Sequence, residues 1–348
     1  MNGRYQSSFM DFMLDINIPS PVNKLSYGQP VMLIGSCFTE HIGNSLQELK
    51  FETMQNPNGI LFDPLSVANS LVSYVQKKHY GEDDLFYLNE LWQSWKHHSI
   101  FSNIDKSDGL KAINKSQDKA HEFLVKAKWL IITLGSSFSY RLVDGISPSF
   151  KKGEGVEVAN CHRAPAQWFN KHLMSIEEIN SALDNCIHQL FHFNPTLEII
   201  FTVSPVRHIR DGVIENNRSK ARLIEVVHHL AGKFDRIHYF PAYELVIDVL
   251  RDYRFFDIDM VHPNYQATDF VLEKFAEKFI DETSNQILQE VKKIVIARKH
   301  KAFQPNTKAH QQFLQQHLEK TEQLKKKYPF LDLNGELEYF LKEAKATT

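Results

Sequence analysis

The sequence predicts an α/β protein in which a parallel sheet lies between two layers of helices. Five short apolar runs, at residues 31–34, 51–55, 129–134, 197–203 and 237–240, lack strict polar alternation, as strands covered on both faces do. Helical patterns fall between them, at 39–49, 175–190, 218–230 and 264–280. Strands alternating with helices give a parallel sheet and three layers. Small and polar residues also follow the runs at the same end, where an open parallel sheet binds its ligands.

Taken in order, the first run, VMLI, leads through Gly35-Ser36-Cys37-Phe38 into a helix with apolar residues at 42, 46 and 49. The second run ends in Asn56-Pro57-Asn58-Gly59. Residues 57–128 are long for a crossover, and their aromatic segment at 86–101 reads as a hairpin or an extra helix. The third run, WLIITL, ends in Gly135-Ser136-Ser137. Two short runs, 138–143 and 156–158, then flank an Asp144-Gly145 turn signal, the pattern of a small antiparallel flap within an excursion at 138–168. The helix at 175–190 opens with Ser175 and Glu178 in capping-box spacing and places 176, 179, 183, 187 and 190 on one stripe. The fourth run ends in Ser204-Pro205-Val206-Arg207-His208, and DIDMVHP at 257–263 precedes the last helix of the alternation. Beyond about residue 283 a heptad-like stretch at 310–328, Pro329, an Asn334-Gly335 turn signal and residues 336–344 suggest an appended helical hairpin. The expected division is therefore a domain at 1–282, enlarged by the two excursions, and a helical extension at 283–348.

Composition narrows the function classes. The chain has 348 residues, 40 Lys+Arg against 42 Asp+Glu, and is 43% hydrophobic, ordinary for a globular protein. Near-neutral charge and aromatic residues without basic interleaving argue against a nucleic-acid partner. The extension holds 12 basic and 6 acidic residues from 291 onward, leaving 28 against 36 elsewhere; a solvated helix face is the favoured reading of that excess, with a docking surface as the alternative. No apolar stretch approaches the roughly 18 residues that span a bilayer. The amino terminus lacks a basic segment followed by an apolar run, so a secretory signal is not expected and the cytoplasm is the expected compartment. Cysteines 37, 161 and 186 are odd in number and lack a CxxC, so no disulfide framework or zinc knuckle is expected. His188 and His192 have ligand spacing but no evident third ligand, so neither metal nor cofactor is expected.

Three residues carry the chemistry. Cys37 stands at a helix amino terminus, where unpaired N–H groups and the helix dipole lower a thiol pKa and can also receive an oxyanion. Asp259 and His262 are three apart, so the carboxylate reaches the imidazole and orients its other nitrogen toward a nucleophile. The alternative for that pair is a helix cap. The Gly-x-Ser-x-Gly elbow is absent, disfavouring an ordinary α/β-hydrolase.

Gly35-Ser36-Cys37-Phe38 after a first strand resembles the signature of the GSCFA family, a bacterial family of the SGNH (GDSL-like) hydrolase superfamily. Thr133-Leu134-Gly135, Asn160-Cys161-His162-Arg163, Ser204 to His208, Asp252-Tyr253-Arg254-Phe255 and Asp259 to Pro263 resemble further segments of it. The resemblance covers roughly residues 25–280. It implies a flavodoxin-like α/β/α fold with strand order 2-1-3-4-5 and ester chemistry on an acylated or carbohydrate substrate. By register, Cys37 takes the nucleophile's place, with Ser36 beside it as the alternative. Gly59 matches the glycine that lends its N–H to the oxyanion hole. Gly135-Ser136-Ser137 aligns with the Gly-x-Asn block, so Ser137 replaces the oxyanion-hole Asn. Asp259 and His262 match the last block. Ser137, Asn160, His162 and Arg207 are candidates to replace the missing donor, and Arg207 and His208 to bind an anionic group. The resulting expectation is an esterase using Cys37 or Ser36, His262 and Asp259; a sugar-directed acyltransferase and a non-catalytic carbohydrate- or acyl-binding domain are the alternatives.

Overall fold

The computed structural model describes residues 13–143 and 155–346. In chain order its main elements are β1 (Val31–Gly35), α1 (Cys37–Glu48), β2 (Thr53–Gln55), α2 (Pro64–Val75), β3 (Phe86–Leu88), β4 (Leu91–Gln93), α3 (Lys106–Lys126), β5 (Trp129–Leu134), β6 (Phe138–Leu142), β7 (Glu157–Val158), β8 (Phe169–Leu173), α4 (Ile176–Phe193), β9 (Glu198–Val203), α5 (Val213–Lys233), β10 (Ile237–Tyr239), α6 (Ala242–Glu244), α7 (Tyr265–Phe279), α8 (Glu282–Lys299), α9 (Lys308–Lys327) and α10 (Asn334–Ala346). A π-helical turn, Leu245–Leu250, continues α6.

The main sheet runs β10-β9-β5-β1-β2, every pair parallel. Counting only its strands in chain order, that is 2-1-3-4-5, the expected flavodoxin-like order. Every residue of β1, β5 and β9 is buried, which is why these runs show no polar alternation. Their side chains alternate between two cores. Val31, Leu33, Trp129 and Ile131 join the cluster with Phe38 of α1 and Phe275 and Phe279 of α7. Met32, Ile34, Leu130 and Ile132 join the cluster with Leu71, Leu124, Leu183 and Leu223 from α2, α3, α4 and α5. The fold is thus a three-layer α/β/α sandwich.

The excursion at 57–128 contributes more than an insertion: α2 and α3 form part of the second helical layer. Helix α2 starts where the Asp63 carboxylate accepts from the N–H groups of Leu65 and Ser66, with Pro64 at the first helical position. The buried stripe of α3 includes Gly109, Gln117 and Ala120, residues that a search for apolar periodicity passes over. The aromatic segment resolves as the hairpin β3–β4, in which Leu88 pairs with Leu91. Its two loop residues, Asn89 and Glu90, have φ of 51° and 64°, the left-handed pair that a type I′ turn needs. The flap is three-stranded, β7-β6-β8, one strand more than expected. Its Asp144-Gly145 turn signal lies outside the described residues.

Helices α8, α9 and α10 pack on the α1/α7 side: Val291, Leu318 and Phe340 belong to the same cluster as Phe38. The hairpin at α9–α10 has the expected order, and α8 precedes it as a further helix. Glu336 of α10, 3% exposed, accepts from Lys50 at 2.9 Å and Arg298 at 2.8 Å, so the extension is fastened by ions as well as apolar contact. No described helix is long and apolar enough to cross a membrane.

Candidate active site

The turn from β1 into α1 places Ser36 at the N-cap and Cys37 as the first helical residue. Ser36 is 1% exposed, and its hydroxyl makes no side-chain cap and meets no partner. Cys37 is only partly buried, so of the two it is the one a substrate can reach. The amides of Cys37 and Phe38 favour its thiolate, and so does the cation of Lys220. Burial and the Glu40 carboxylate act the other way and prevail, holding the thiol above its ordinary value. The lowered thiol expected from the helix terminus is therefore reversed, because the desolvation of a half-buried sulfur exceeds what two amides supply. A thiol of this kind needs a base to become a nucleophile.

Asp259 and His262 form the pair the spacing predicts. His262 Nδ1 lies 2.6 Å from Asp259 Oδ2, while Asp259 Oδ1 accepts from the N–H groups of Val261 and His262 at 2.9 and 3.0 Å. These bonds, the His262 amide foremost, bring the Asp259 carboxyl down to about 2. The helix cap that was the alternative role belongs instead to Asn264, whose side chain accepts from Gln266 and Ala267 at the start of α7. Both side chains remain open to solvent, at 43% and 45% exposure. No hydrogen bond joins His262 to Cys37 among the described residues.

Arg207 lies against the loop that bears Asp259 and His262. Its guanidinium donates to Met260 O at 3.0 Å and covers the Phe256 ring at 4.1 Å, and its amide donates to Val261 O at 3.3 Å. It clamps the loop that bears Asp259 and His262 against the exit of β9. That clamp also puts the loop at the carboxyl edge of the sheet, the edge at which Cys37 leaves β1. His208 packs edge-on to Phe62 at 5.9 Å, and burial, then the Lys220 charge, takes it down to about 4.

The expected oxyanion donors are largely engaged. The Gly59 N–H donates to Asn56 O at 2.7 Å, and the Gly135 N–H to Phe62 O at 2.9 Å. The Ser137 amide and hydroxyl both donate to Ser219, at 2.8 and 3.1 Å, which leaves neither for a substrate. Asn160 accepts from His162 N–H, and His162 Nε2 meets Ser94 O at 2.8 Å within a cluster of Phe86 and Trp95. These two residues hold the flap to the 94–98 loop rather than supply a donor. The backbone N–H groups turned to the Cys37 sulfur are those of Cys37 and Phe38. Gly59 has another reason to be glycine: at φ 78° a Cβ would stand 2.2 Å from His98 Cβ, so the loop after β2 seats His98 against it.

Three residues near this edge escaped the sequence reading: Lys220, Ser219 and His98. Lys220 is 1% exposed, and its ammonium donates to the carbonyls of Gly135 and Ser204, both at 2.6 Å. The available signal was its phase: Lys220, Leu223, Val227 and Leu230 share one buried stripe of α5. Cys161 and Cys186 are held above the ordinary thiol value by burial, as befits packing residues. Among the described residues no group of three or more His, Cys, Asp or Glu is placed to hold a metal ion. A polar cleft of about 340 Å³ opens beside the loop after β2, lined by Asn58, Ser66, Asn69, Ser73, Lys96 and Glu157.

Two buried histidines make a pH prediction. Burial takes His97 down to about 3 and His208 to about 4, whereas the unfolded chain binds those protons near 6.5. Their contribution to stability is complete above about pH 6.5 and falls as the pH drops toward 4, since there the unfolded state holds more protons. Melting temperatures at pH 7 and pH 5 should show this fall, and His97→Gln should reduce its slope; an unchanged slope contradicts the assignment.

The profile of the GSCFA family matches residues 30–275, and that of the GSCFA domain protein, C-terminal domain, matches residues 291–346. Among solved structures the chain is similar to a carbohydrate esterase family 3 protein from Talaromyces cellulolyticus, at 9% identity over 76% of this chain and 99% of that one, with a TM-score of 0.35. It is also similar to the acetyl xylan esterase Est2A from the rumen bacterium Butyrivibrio proteoclasticus, at 14% identity over 74% and 66%, with a TM-score of 0.34. No curated protein sequence matches the chain. The first profile alone spans well over half of the 348 residues, with the Ser36–Cys37 turn, the β9 exit and the Asp259–His262 loop inside it, and the chain therefore belongs to the GSCFA family.

Proposed function

We propose that the protein cleaves or transfers an ester-linked acyl group, with Cys37 as nucleophile, His262 as base and then acid, and Asp259 orienting the imidazole. The observation that carries this reading is the 2.6 Å Asp259–His262 bond, in a loop clamped to the sheet edge from which Cys37 emerges. His262 takes the Cys37 proton, sulfur attacks the acyl carbon, and the alkoxide leaves with that proton, giving a thioester. The amides of Cys37 and Phe38 stabilise the oxyanion. Water then hydrolyses the thioester, or a sugar hydroxyl takes the acyl group. We place this chemistry in the α/β/α domain and assign the helical extension no part in it.

A second reading, a non-catalytic acyl- or carbohydrate-binding domain, is favoured by the raised Cys37 thiol and by the engaged amides of Gly59 and Gly135. The test incubates the protein with a short-chain aryl ester and weighs it intact. An acyl adduct that disappears in Cys37→Ala and persists in Ser36→Ala supports the thiol route. The reverse pattern moves the nucleophile to Ser36. No adduct and no turnover across a panel of acyl donors supports the binding domain.

A further inference from the structure

The polar cleft beside the loop after β2 holds groups that the reaction above does not use. Its volume, about 340 Å³, is at the small end of the range that ligand sites occupy. Two ammoniums line it, those of Lys78 and Lys96, against one carboxylate, Glu157 of β7. That carboxylate satisfies neither lysine. Glu157 Oε2 accepts from Asn69 Nδ2 on α2 at 2.6 Å and lies 3.9 Å from Lys96 Nζ, beyond hydrogen-bond reach. The Lys78 ammonium sits 4.8 Å from the centre of the Tyr80 ring and has no carboxylate within ion-pair distance among the described residues. Burial lowers Lys96 from its ordinary value, and Glu157 offsets that only in part. Asn58, also in the lining, is 2% exposed, and its Oδ1 meets no partner. A buried acceptor left without a donor is costly.

We propose that this cleft binds a small hydroxylated phosphate monoester, its phosphate between Lys78 and Lys96 and a hydroxyl donating to Asn58 Oδ1. A phosphate monoester carries close to two negative charges at neutral pH, which two ammoniums match, and lysine binds phosphate as a point charge. Glu157 opposes the phosphate and stays engaged with Asn69. The ligand would therefore bridge the flap, the 94–98 loop and the chain beyond α2, beside the contact that Asn69 and Glu157 already make.

Calorimetric titration of the full chain near neutral pH and low salt, with glucose 6-phosphate, inorganic phosphate and glucose, tests this. Glucose 6-phosphate should bind, inorganic phosphate should bind more weakly, and glucose should give no heat at millimolar concentration. Lys78→Met and Lys96→Met should each weaken glucose 6-phosphate about tenfold or more, the loss of one charge-assisted hydrogen bond. Glu157→Gln keeps an acceptor for Asn69 and removes the opposing charge, so it should tighten binding. Asn58→Ala should bring glucose 6-phosphate toward inorganic phosphate and leave phosphate itself unchanged. The proposal is overturned by no heat from either phosphate, by glucose binding as well as its phosphate, or by inorganic phosphate binding as tightly as the ester. Unchanged affinity in folded Lys78→Met or Lys96→Met overturns it as well. Lys78 is exposed, so its variant keeps the test open should Lys96→Met or Asn58→Ala fail to fold. None of these outcomes depends on Cys37 or on ester turnover.

Discussion

His262→Ala should slow turnover of a short-chain aryl ester about a thousandfold, the middle of the range for a positioned general base. The size follows from the state of the nucleophile. Burial and Glu40 hold the Cys37 thiol above its ordinary value, so little thiolate exists without a proton acceptor. With His262 Nδ1 turned to Asp259 at 2.6 Å, the ring's other nitrogen is the one available. Asp259→Asn should also be costly, up to about ten-thousandfold, because it leaves the imidazole in place but in the wrong tautomer. Asp259, brought down to about 2, stays ionised from mildly acidic pH upward. Loss of activity on the acid side should therefore persist unchanged in shape in Asp259→Asn. Initial rates for the two variants and Cys37→Ala make the check. If His262→Ala stays within a few fold of wild type while Cys37→Ala is dead, another group is the base.

The central strands β1, β5 and β9 were legible because they are buried on both faces, and burial on both faces leaves an apolar run with little polar interruption. Helices α1, α4, α5 and α7 were legible from their stripes. Helix α3 was not, because its inward positions include Gly109, Gln117 and Ala120, where close packing and a Gln117–Ser73 hydrogen bond replace apolar bulk. The site divided in the same way. Asp259 and His262 are three residues apart, so their contact is local and spacing predicts it. The partners of Arg207 and Ser137, Met260 and Ser219, were not legible because they are 53 and 82 residues away. A polar residue after a strand announces an edge of the sheet; which neighbour consumes its hydrogen bonds is set by tertiary packing. Lys220 lay hidden for that reason too: its carbonyl partners come from two different strand ends.

Gly35→Ala should lower stability by about 3 kcal/mol or more, the class of effect that follows from strain at a special backbone position. At φ 137° Gly35 lies outside the conformations that L side chains adopt readily, and a Cβ would stand 2.1 Å from Thr133 O. That oxygen cannot simply move away, since it accepts from Ser36 N at 3.1 Å and belongs to the strand paired with β1 in parallel register, Gly35 opposite Thr133. Gly35 itself is held twice more, its N–H by the Asn56 side chain at 2.9 Å and its carbonyl by Leu61 N at 2.9 Å. An added methyl must therefore separate β1 from β5 or rotate the turn that carries Ser36 and Cys37. The melting temperature should drop by roughly 6–12 °C at a few degrees per kcal/mol, and ester turnover should fall further than the unfolded fraction accounts for. Gly232→Ala is the control: nothing lies within 4 Å of that position in α5, and Ala is the better helix former, so stability should hold or rise slightly. A Gly35→Ala protein melting within 2 °C of wild type would mean that the spacing of β1 and β5 is looser than the fold requires, and with it the link between Gly35 and the placement of Cys37.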